Sequence, residues 1–367
     1  MSTGDDARSG DLRALASLFG QAALEPELWP VALDAFAAAT RSEQAQLVGF
    51  GPRFGGFNWV NHAPSGMLEA FTEVEREPDL NFRIKASQQS PRATVVFEKD
   101  YDAARPLLSG DSYLDLCNDW DILYGCQTDL VATSDRLVGM ALLRTRRDGP
   151  TDAAARETFA AIRPAARAAV ALQSAVERGG HQLVAGALEA VGAACFVLDR
   201  SWRAGAMTPM AELLIEQGHF VLVDGRPLPR DGSAARKIVA HSRRILSGRA
   251  AGAELIAHTA QGPMRITLSV LPPRDWQLGF GPYALMTAKP SSGMSVADID
   301  RMRAAFGLTN AEAAVAQLML AGHRRDAIAR MRGTSAETLR SQMRNIFAKL
   351  GVRREADAIG VLHTLFQ

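Results

Sequence analysis

Residues 308–352 constrain the fold of this chain more than any other stretch, because they read as three short amphipathic helices in succession. Thr309 with Glu312, and Thr334 with Glu337, have the spacing of a capping box at a helix start. Two of the helices should end where glycine provides a left-handed residue, at Gly322 and Gly333. The stretch therefore predicts a small all-α bundle.

The third of these helices, predicted over residues 336–349, separates apolar from polar side chains. At about 100° per residue, one face within roughly 60° is formed by Leu339, Met343, Ile346 and Leu350, with Phe347 beside it. The opposite half carries Glu337, Arg340, Ser341 and Arg344. One face can therefore pack on the preceding helices while the other presents guanidinium groups to an anionic partner.

A local excess of positive charge coincides with this helix. Residues 324–354 contain nine Arg and Lys residues and two acids, a net charge of +7, whereas the chain as a whole has a formal net charge of +1. A basic surface on a nearly neutral protein is typical of a DNA-binding module. A helix of this size fits the major groove, where the arginine fork can bridge the O6 and N7 acceptors of guanine.

The same stretch resembles the C-terminal helix-turn-helix domain of LuxR-type regulators. The matching positions are Leu308–Thr309, Glu312, Ala321–Gly322, Ile328–Ala329, Ser335, Thr338 and Lys349–Val352. The resemblance implies that Arg340, Ser341 and Arg344 contact base edges. It also implies that three further residues lie near phosphates, namely Arg325, Thr338 and Lys349.

Some positions depart from the family pattern. Gln342 stands where histidine is usual, Arg325-Asp326-Ala327 replaces the common Asn-Lys-Glu, and Ala311 replaces an arginine. These departures leave the predicted fold intact but leave the operator sequence open. Two alternatives to DNA binding remain: an ordinary bundle with a solvated basic face, and a regulator whose basic helix binds an acidic protein partner.

The chain of 367 residues is long for one domain, and its 47% hydrophobic and 22% charged content is ordinary for a globular protein. The polar, acidic start has no signal-peptide pattern, and no uncharged apolar stretch reaches the ~18 residues that span a bilayer. We therefore expect a cytoplasmic protein. Its cysteines are expected to be reduced and buried, with a redox pair of Cys117 and Cys126 as the alternative.

Residues 1–10 are predicted to be a disordered tail, and residues 11–178 to form a sensory domain. Pro26 and Pro30 should divide a first helical region. Period-2 patterns then predict strands at 44–50, 57–61, 93–97, 128–132 and 137–144, with turns at 51–56 and at Ser134-Asp135. Helices are expected at 65–75 and 111–118, and a long helix should begin after Thr151-Asp152 and end at Gly179-Gly180.

This order of elements resembles a GAF domain and the signal-binding half of the LuxR family. The resemblance implies a ligand pocket on a sheet covered by helices on one face, lined by Trp59, Asp79, Asn81, Trp120 and Tyr124. The alternative is that the tryptophans are core residues and that Asp79 caps a helix. The long helix can cover its own domain or pair with its twin in a dimer.

Residues 181–289 resemble a PAS domain, chiefly through Val197–Ile215. Predicted elements are a helix at 183–191, strands at 194–199, 220–223, 254–258, 264–271 and 283–287, and helices at 207–217 and 234–246. Residues 290–298 read as a linker, and residues 299–367 as the helix-turn-helix domain, which should end in a helix at 355–366. The predicted fold class is α+β: two antiparallel-sheet sensor domains followed by an all-α bundle.

Several kinds of chemistry lack their sequence patterns. The chain has no Gly-rich phosphate loop, no HExxH, no CxxC pair and no GxSxG elbow. We therefore expect no enzyme activity, no cofactor and no metal. The interpretation is a homodimeric bacterial transcription regulator that binds double-stranded DNA and responds to a small-molecule effector or a conformational signal. RNA polymerase is a further candidate partner, and no membrane association is expected.

Overall fold

In the described part of the chain, two larger antiparallel sheets, a two-stranded antiparallel ribbon and a C-terminal group of helices form the fold, in agreement with the predicted α+β class. The computed structural model describes residues 2–51, 54–72, 77, 79–133, 136–259, 262–290 and 296–364. The elements of the first part are α1 (Ser2–Ala22), α2 (Trp29–Ala39), β1 (Gln44–Gly51), β2 (Phe54–Val60), α3 (Met67–Phe71), α4 (Phe82–Gln89), α5 (Glu98–Ala104), α6 (Ser112–Asp119), β3 (Gln127–Ala132), β4 (Leu137–Leu143) and α7 (Ala153–Glu189).

Helices cover both faces of the first sheet, whose four strands run antiparallel in the order β2-β1-β4-β3. Side chains alternate along a strand, so Leu47 and Met140 join one core with α1, α2 and α7. Ala141 and Leu143 join a second core with α3, α4, α5 and α6. The expectation of helices on one face was wrong, because the sequence between β2 and β3 forms four short helices that pack there.

Three predicted segments of this part differ from the structure. The helix α1 begins at Ser2, inside the segment expected to be disordered, and a start rich in Ser, Thr and Asp is typical of a helix N-terminus. The predicted strand at 93–97 forms only an isolated bridge between Val96 and Gln127. The helix cap that the alternative interpretation gave to Asp79 is formed instead by Asn81, at the start of α4. The turn at Ser134-Asp135 and part of the turn at 51–56 lie outside the described residues.

The long helix α7 does not end at Gly179-Gly180 as predicted but continues to Glu189. It absorbs most of the helix expected separately at 183–191. Each glycine destabilises a helix interior by about 1 kcal/mol relative to alanine, and tertiary packing readily overrides an effect of this size. Beyond the glycines, Ala185 packs against Val197 and Ala206 of the second sheet, which supports the continuation.

The second sheet has five strands in the order β6-β5-β11-β10-β9. Its strands are β5 (Cys195–Leu198), β6 (Ala204–Met207), β9 (Gly252–Thr259), β10 (Gly262–Val270) and β11 (Ala284–Pro290). Between β6 and β9 the chain forms α8 (Pro209–Glu216), a separate two-stranded ribbon of β7 (Phe220–Val223) and β8 (Arg226–Pro229), and α9 (Gly232–Leu246). The end of α7 packs on one face of this sheet. Leu214 of α8 and Ile238 and Ile245 of α9 belong to the core on the other face.

One segment, residues 276–280, joins α7 to both sheets. Gln173 accepts a hydrogen bond from Trp29 Nε1 (2.6 Å) and donates one to the carbonyl of Trp276 (2.8 Å). The carboxylate of Glu177 accepts from the backbone N–H groups of Leu278 (2.7 Å) and Phe280 (2.8 Å). Burial raises the pKa of Glu177 although these donors act in the opposite sense. The segment thus fixes the middle of α7.

The C-terminal helices share one core. They are α10 (Val296–Phe306), α11 (Asn310–Leu320), α12 (Arg325–Arg332), α13 (Ala336–Leu350) and α14 (Glu355–Thr364). Buried side chains from all five meet there, among them Met302, Val315, Ile328, Ile346 and Leu362. The helix α10 begins inside the predicted linker at 290–298. Residues 291–295 of that linker, and the end of the predicted last helix at 365–366, lie outside the described residues.

The three cysteines are free and buried. Cys117 belongs to the core under α3–α6 and Cys126 to the core under α1, α2 and α7, so the alternative of a redox pair is not supported. Burial raises the pKa of Cys117 to about 11 and that of Cys195 to about 12. Among the described residues, no helix is both long and apolar enough to cross a membrane.

Candidate nucleic-acid interface

Side-chain caps and left-handed glycines set the limits of α11, α12 and α13. The capping box of Thr309 and Glu312 is present at the start of α11, as predicted. The second predicted box was wrong by one residue: Ser335, not Thr334, caps α13 and accepts a hydrogen bond from the N–H of Thr338 (3.1 Å). Gly333 is left-handed with φ +60°, which turns the chain sharply between α12 and α13.

The helix α13 has the two faces that the sequence predicted. Leu339, Met343 and Ile346 are buried against the other helices. Arg340, Ser341 and Arg344 lie on the exposed face. Neither guanidinium forms an ion pair with a carboxylate in the described part of the chain. The exposed face therefore presents two uncompensated cations about one helical turn apart.

Two of the three residues predicted to lie near phosphates already have acidic partners. Arg325 pairs with Glu355 (2.7 Å), and Lys349 Nζ lies 2.6 Å from Glu312 Oε2. Thr338 is exposed, and its hydroxyl lies 2.8 Å from that of Ser335. Their contacts with phosphates stay a prediction.

The pair of Glu312 and Lys349 ties the start of α11 to the end of α13. Glu312 is 5% exposed, and Lys349 also donates to the carbonyl of Gly307 (2.9 Å). Burial alone would raise the pKa of Glu312. Hydrogen bonds from Lys349 and Thr309 outweigh this effect, so the pKa lies below its ordinary value of 4.5. Glu312 is therefore ionised at neutral pH and forms an ion pair with the partly exposed Lys349 ammonium at the edge of the bundle.

Only one of the five predicted pocket residues, Asn81, lines the cavity on the first sheet. Trp59 is buried on the opposite face, with ring centroids 4.4 Å from Phe57 and 5.5 Å from Trp276. The other three do not line the cavity either: Asp79 is exposed and pairs with Lys85, Trp120 packs beside α6, and Tyr124 follows that helix. Side chains alternate between the two faces of the sheet along β2, so Asn58 faces the cavity and Trp59 does not.

This first-sheet cavity, of about 80 Å³, lies between the sheet and α3–α6. Its apolar lining includes Val48, Met67, Phe71, Ile84 and Met140. Its polar lining includes Gln46, Asn58, Arg83, Gln127 and Asp129. Gln46 Nε2 donates to Asn58 Oδ1 (2.8 Å), so two amides on neighbouring strands are oriented together.

Arg83 is the most unusual side chain of this cavity, since it is a guanidinium only 5% exposed. It donates to the carbonyls of Ile122 (2.5 Å) and Tyr124 (3.4 Å), and its Nε has no hydrogen-bond partner in the described structure. Burial lowers the pKa of Arg83, but the neighbouring Tyr113, Cys117 and Glu98 more than offset that, and the group remains charged. Arg83 was not predicted from the sequence, because no spacing pattern distinguishes it from a surface arginine.

Gln46 was detectable in principle. It occupies a position within an otherwise apolar strand, where a polar residue must find a partner on whichever face it points to. No group of three or more His, Cys, Asp or Glu residues suited to a metal ion occurs among the described residues.

The C-terminal bundle is a helix-turn-helix domain, and its sequence identifies its family. Residues 307–362 match the family model described as "Bacterial regulatory proteins, luxR family", so this segment is a luxR-family domain. Comparison with curated proteins gives no match.

Solved structures of regulators show a distant likeness. The N-acylhomoserine lactone dependent LuxR family transcription factor CepR2 from Burkholderia cenocepacia is 20% identical, with 44% of this chain and 95% of that chain covered and a TM-score of 0.36. The VqsR LBD domain from Pseudomonas aeruginosa is 11% identical, with 47% and 97% covered and a TM-score of 0.33.

A third structure, SdiA in complex with octanoyl-rac-glycerol, spans 98% of this chain and 95% of its own, at 8% identity and a TM-score of 0.30. At these values the likeness assigns neither a ligand nor a partner to this chain.

Proposed function

We propose that the protein is a DNA-binding transcription regulator whose α13 enters the major groove. The observation that carries the proposal is the exposed face of α13, where Arg340, Ser341 and Arg344 stand on a luxR-family domain without acidic partners among the described residues. An unpaired arginine breaks no ion pair when its guanidinium meets a guanine edge, and the planar group can form two hydrogen bonds there. Arg340 and Arg344 are the proposed base readers, with Ser341 between them.

The proposed phosphate contacts come from the flanks of this helix. Thr338 lies in the first turn of α13, where the helix N-terminus favours an anion. Arg325 would have to share its fork between Glu355 and a phosphate. Lys349 is the least suited of the three, because its ammonium is held by Glu312 and the carbonyl of Gly307.

The experiment that tests base reading is a binding titration of the full chain on a duplex selected from a random pool and on a scrambled duplex. Arg344→Ala and Arg340→Ala should each weaken the selected duplex by about 1–3 kcal/mol and weaken the scrambled one much less. Arg243→Ala, at an exposed position of α9, is the control for lost charge. Equal losses on both duplexes would contradict the assignment of base readers.

The same titration separates DNA from an acidic protein partner. Counterion release makes log K fall linearly with log salt, by about 0.9 for each phosphate neutralised. A flat salt dependence, with no selected sequence, would favour the protein-partner alternative.

For the N-terminal part we propose a sensory role, with the first-sheet cavity as the effector site. The buried Arg83 and the amides of Gln46 and Asn58 supply donors inside an apolar pocket, which suits a small molecule with one oxygen-rich end and one apolar end. We retain the division into units at 11–178, 181–289 and 299–367, and the GAF-like and PAS-like assignments, as proposals. A homodimer would place two α13 helices on half-sites about one helical turn apart.

A further inference from the structure

A second cavity, of about 500 Å³, lies where Thr133 and Arg136, the helix α7 and the turn between β5 and β6 meet. We refer to it as the arginine cavity. Its lining includes four arginines and one acid: Arg136, Arg178, Arg200, Arg203 and Asp199. These residues lie next to strands of both sheets and in the helix α7 between them. The site is therefore formed only when the chain folds.

Aromatic rings hold three of the four guanidinium groups. Arg136 and Arg178 lie 4.6 Å and 5.5 Å from the centroid of Phe280, and Arg200 lies 5.1 Å from that of Tyr283. Stacking occupies the flat face of a guanidinium and leaves its N–H edge available for an oxyanion. The arginines are therefore oriented before any ligand arrives.

Two described acids, Asp199 and Asp224, lie near the four arginines of the cavity. Asp224 pairs with Arg203 (2.5 Å), and Asp199 Oδ1 accepts the backbone N–H groups of Ser201 (2.7 Å) and Arg203 (3.0 Å) in the turn. Within the described residues, neither Arg178 nor Arg200 has an ion-pair partner. Like charges gathered around one cavity repel each other, and a bound anion would offset that repulsion.

Two nitrogen atoms beside the cavity also lack partners. His181 is 3% exposed, and its Nδ1 lies 3.3 Å from the carbonyl of Arg178. Its Nε2 and the Nε of Arg203 are buried and form no hydrogen bond in the described structure. In the neutral ring, the contact of His181 Nδ1 with a carbonyl makes Nε2 an acceptor, so of these two nitrogens the Nε–H of Arg203 is the donor that an oxyanion would satisfy.

We propose that the arginine cavity binds a small phosphorylated molecule and that this ligand links the two sheet units. Arginine forks match phosphate oxygens in pairs, and a phosphate group carries about −1.5 to −2 charges at pH 7, so one diphosphate can neutralise several guanidiniums. A single carboxylate carries one negative charge and would offset only one of Arg178 and Arg200. The site is distinct from the first-sheet cavity and from α13.

The test is calorimetric titration of the full chain, without DNA, with inorganic pyrophosphate and separately with citrate. The variant R178Q/R200Q removes two exposed arginines of the cavity, and R243Q/R244Q removes two exposed arginines of α9 as the matched control. We expect saturable pyrophosphate binding by the wild type and by the control. Binding by R178Q/R200Q should be at least about tenfold weaker, since a hydrogen bond to a charged group contributes roughly that factor.

Three outcomes would overturn the proposal: no saturable binding by the wild type, an equal loss in the control variant, or citrate binding at least as tight as pyrophosphate. Circular dichroism of both variants checks that the fold is kept. Because no DNA is present, a failure here leaves the proposed reading of DNA by α13 untouched, and a failure of that proposal leaves this binding intact.

Discussion

Lys349 contacts other residues of the helical bundle, whereas the sequence predicts that it contacts a DNA phosphate. It lies in the last turn of a cationic helix, which favours a phosphate contact. Its ammonium, however, lies 2.6 Å from a buried carboxylate and 2.9 Å from a backbone carbonyl. A charge satisfied in this way would have to leave Glu312 unpaired in order to reach DNA, and that cost opposes the contact.

Lys349→Ala should therefore lower the free energy of unfolding of the chain by about 1–2 kcal/mol, because the buried Glu312 loses its charged donor and keeps only the hydrogen bond from the N–H of Thr309. Urea denaturation followed by circular dichroism measures the change. The salt dependence of DNA binding should keep its slope. The prediction fails if stability is unchanged and the slope falls by about one unit, as the loss of one phosphate contact requires.

Glu312 makes stability depend on pH in a defined direction. Its pKa in the folded protein lies below the ordinary value of 4.5. A carboxylate of this kind adds stability above its unfolded pKa, and the contribution is lost as the pH falls through the lower folded value. The free-energy difference between wild type and Glu312→Gln should thus shrink below about pH 4.5. Urea titrations of both proteins at neutral and acidic pH measure it, and a constant difference would contradict the role of this pair.

At the scale of elements, the two glycines in the middle of α7 allow a matched comparison. A Cβ at Gly179 would have no neighbour within 4 Å, whereas one at Gly180 would lie 3.2 Å from Pro282. Gly179→Ala should raise the free energy of unfolding by about 0.5–1 kcal/mol, since alanine restricts the unfolded chain and favours the helix.

Gly180→Ala should gain less than Gly179→Ala or lose stability, because Pro282 would have to move. Urea denaturation of the two variants in parallel measures the difference between their free energies of unfolding. Equal gains in the free energy of unfolding would show that the contact between a methyl group at residue 180 and Pro282 does not destabilise the fold. A loss in Gly179→Ala would contradict a continuous helix through this point.

The sequence predicts elements well where periodicity and capping agree. The faces of α13 follow from Leu339, Met343 and Ile346, and the capping box of α11 follows from Thr309 and Glu312. Prediction fails where tertiary contacts override local signals. The glycine pair in α7 indicates a helix end, but packing of Ala185 on the second sheet continues the helix.

The first-sheet cavity was harder to predict than the helix-turn-helix domain, for a physical reason. A tryptophan in a strand is typical both of a hydrophobic core and of a ligand pocket. Only the register of the strand decides which face of the sheet it lies on. Trp59 pairs with Leu47 across β1 and β2 and shares its face, so it is core. Arg83 and the arginine cavity depend on contacts between distant parts of the chain, which local spacing does not encode.

At the scale of the whole molecule, α7 has an apolar stripe that its own chain does not cover. Leu172, Val176 and Leu183 are 42%, 54% and 78% exposed, and their spacing places them on one side of the helix. The adjoining side of the helix, roughly 100° around its axis, is already used, with Phe159, Ile162 and Val170 in the core of the first sheet. An uncovered stripe on a long helix suits pairing with the same helix of a second chain.

If this stripe forms the proposed homodimer, Val176→Asp/Leu183→Asp should convert the protein to a monomer. Two carboxylates placed opposite their symmetry mates would be desolvated and would repel each other. Light scattering after size-exclusion chromatography measures the mass. Leu24→Asp, at another exposed apolar position, is the control and should leave the mass unchanged.

The monomeric double variant should bind the selected duplex only as tightly as one recognition helix binds one half-site. In a dimer, the first bound helix raises the effective concentration of the second at its half-site, and the monomer lacks this gain in affinity. A double variant that stays dimeric would place the interface elsewhere, and a wild-type monomer that still binds both half-sites would remove the dimer from the proposed function.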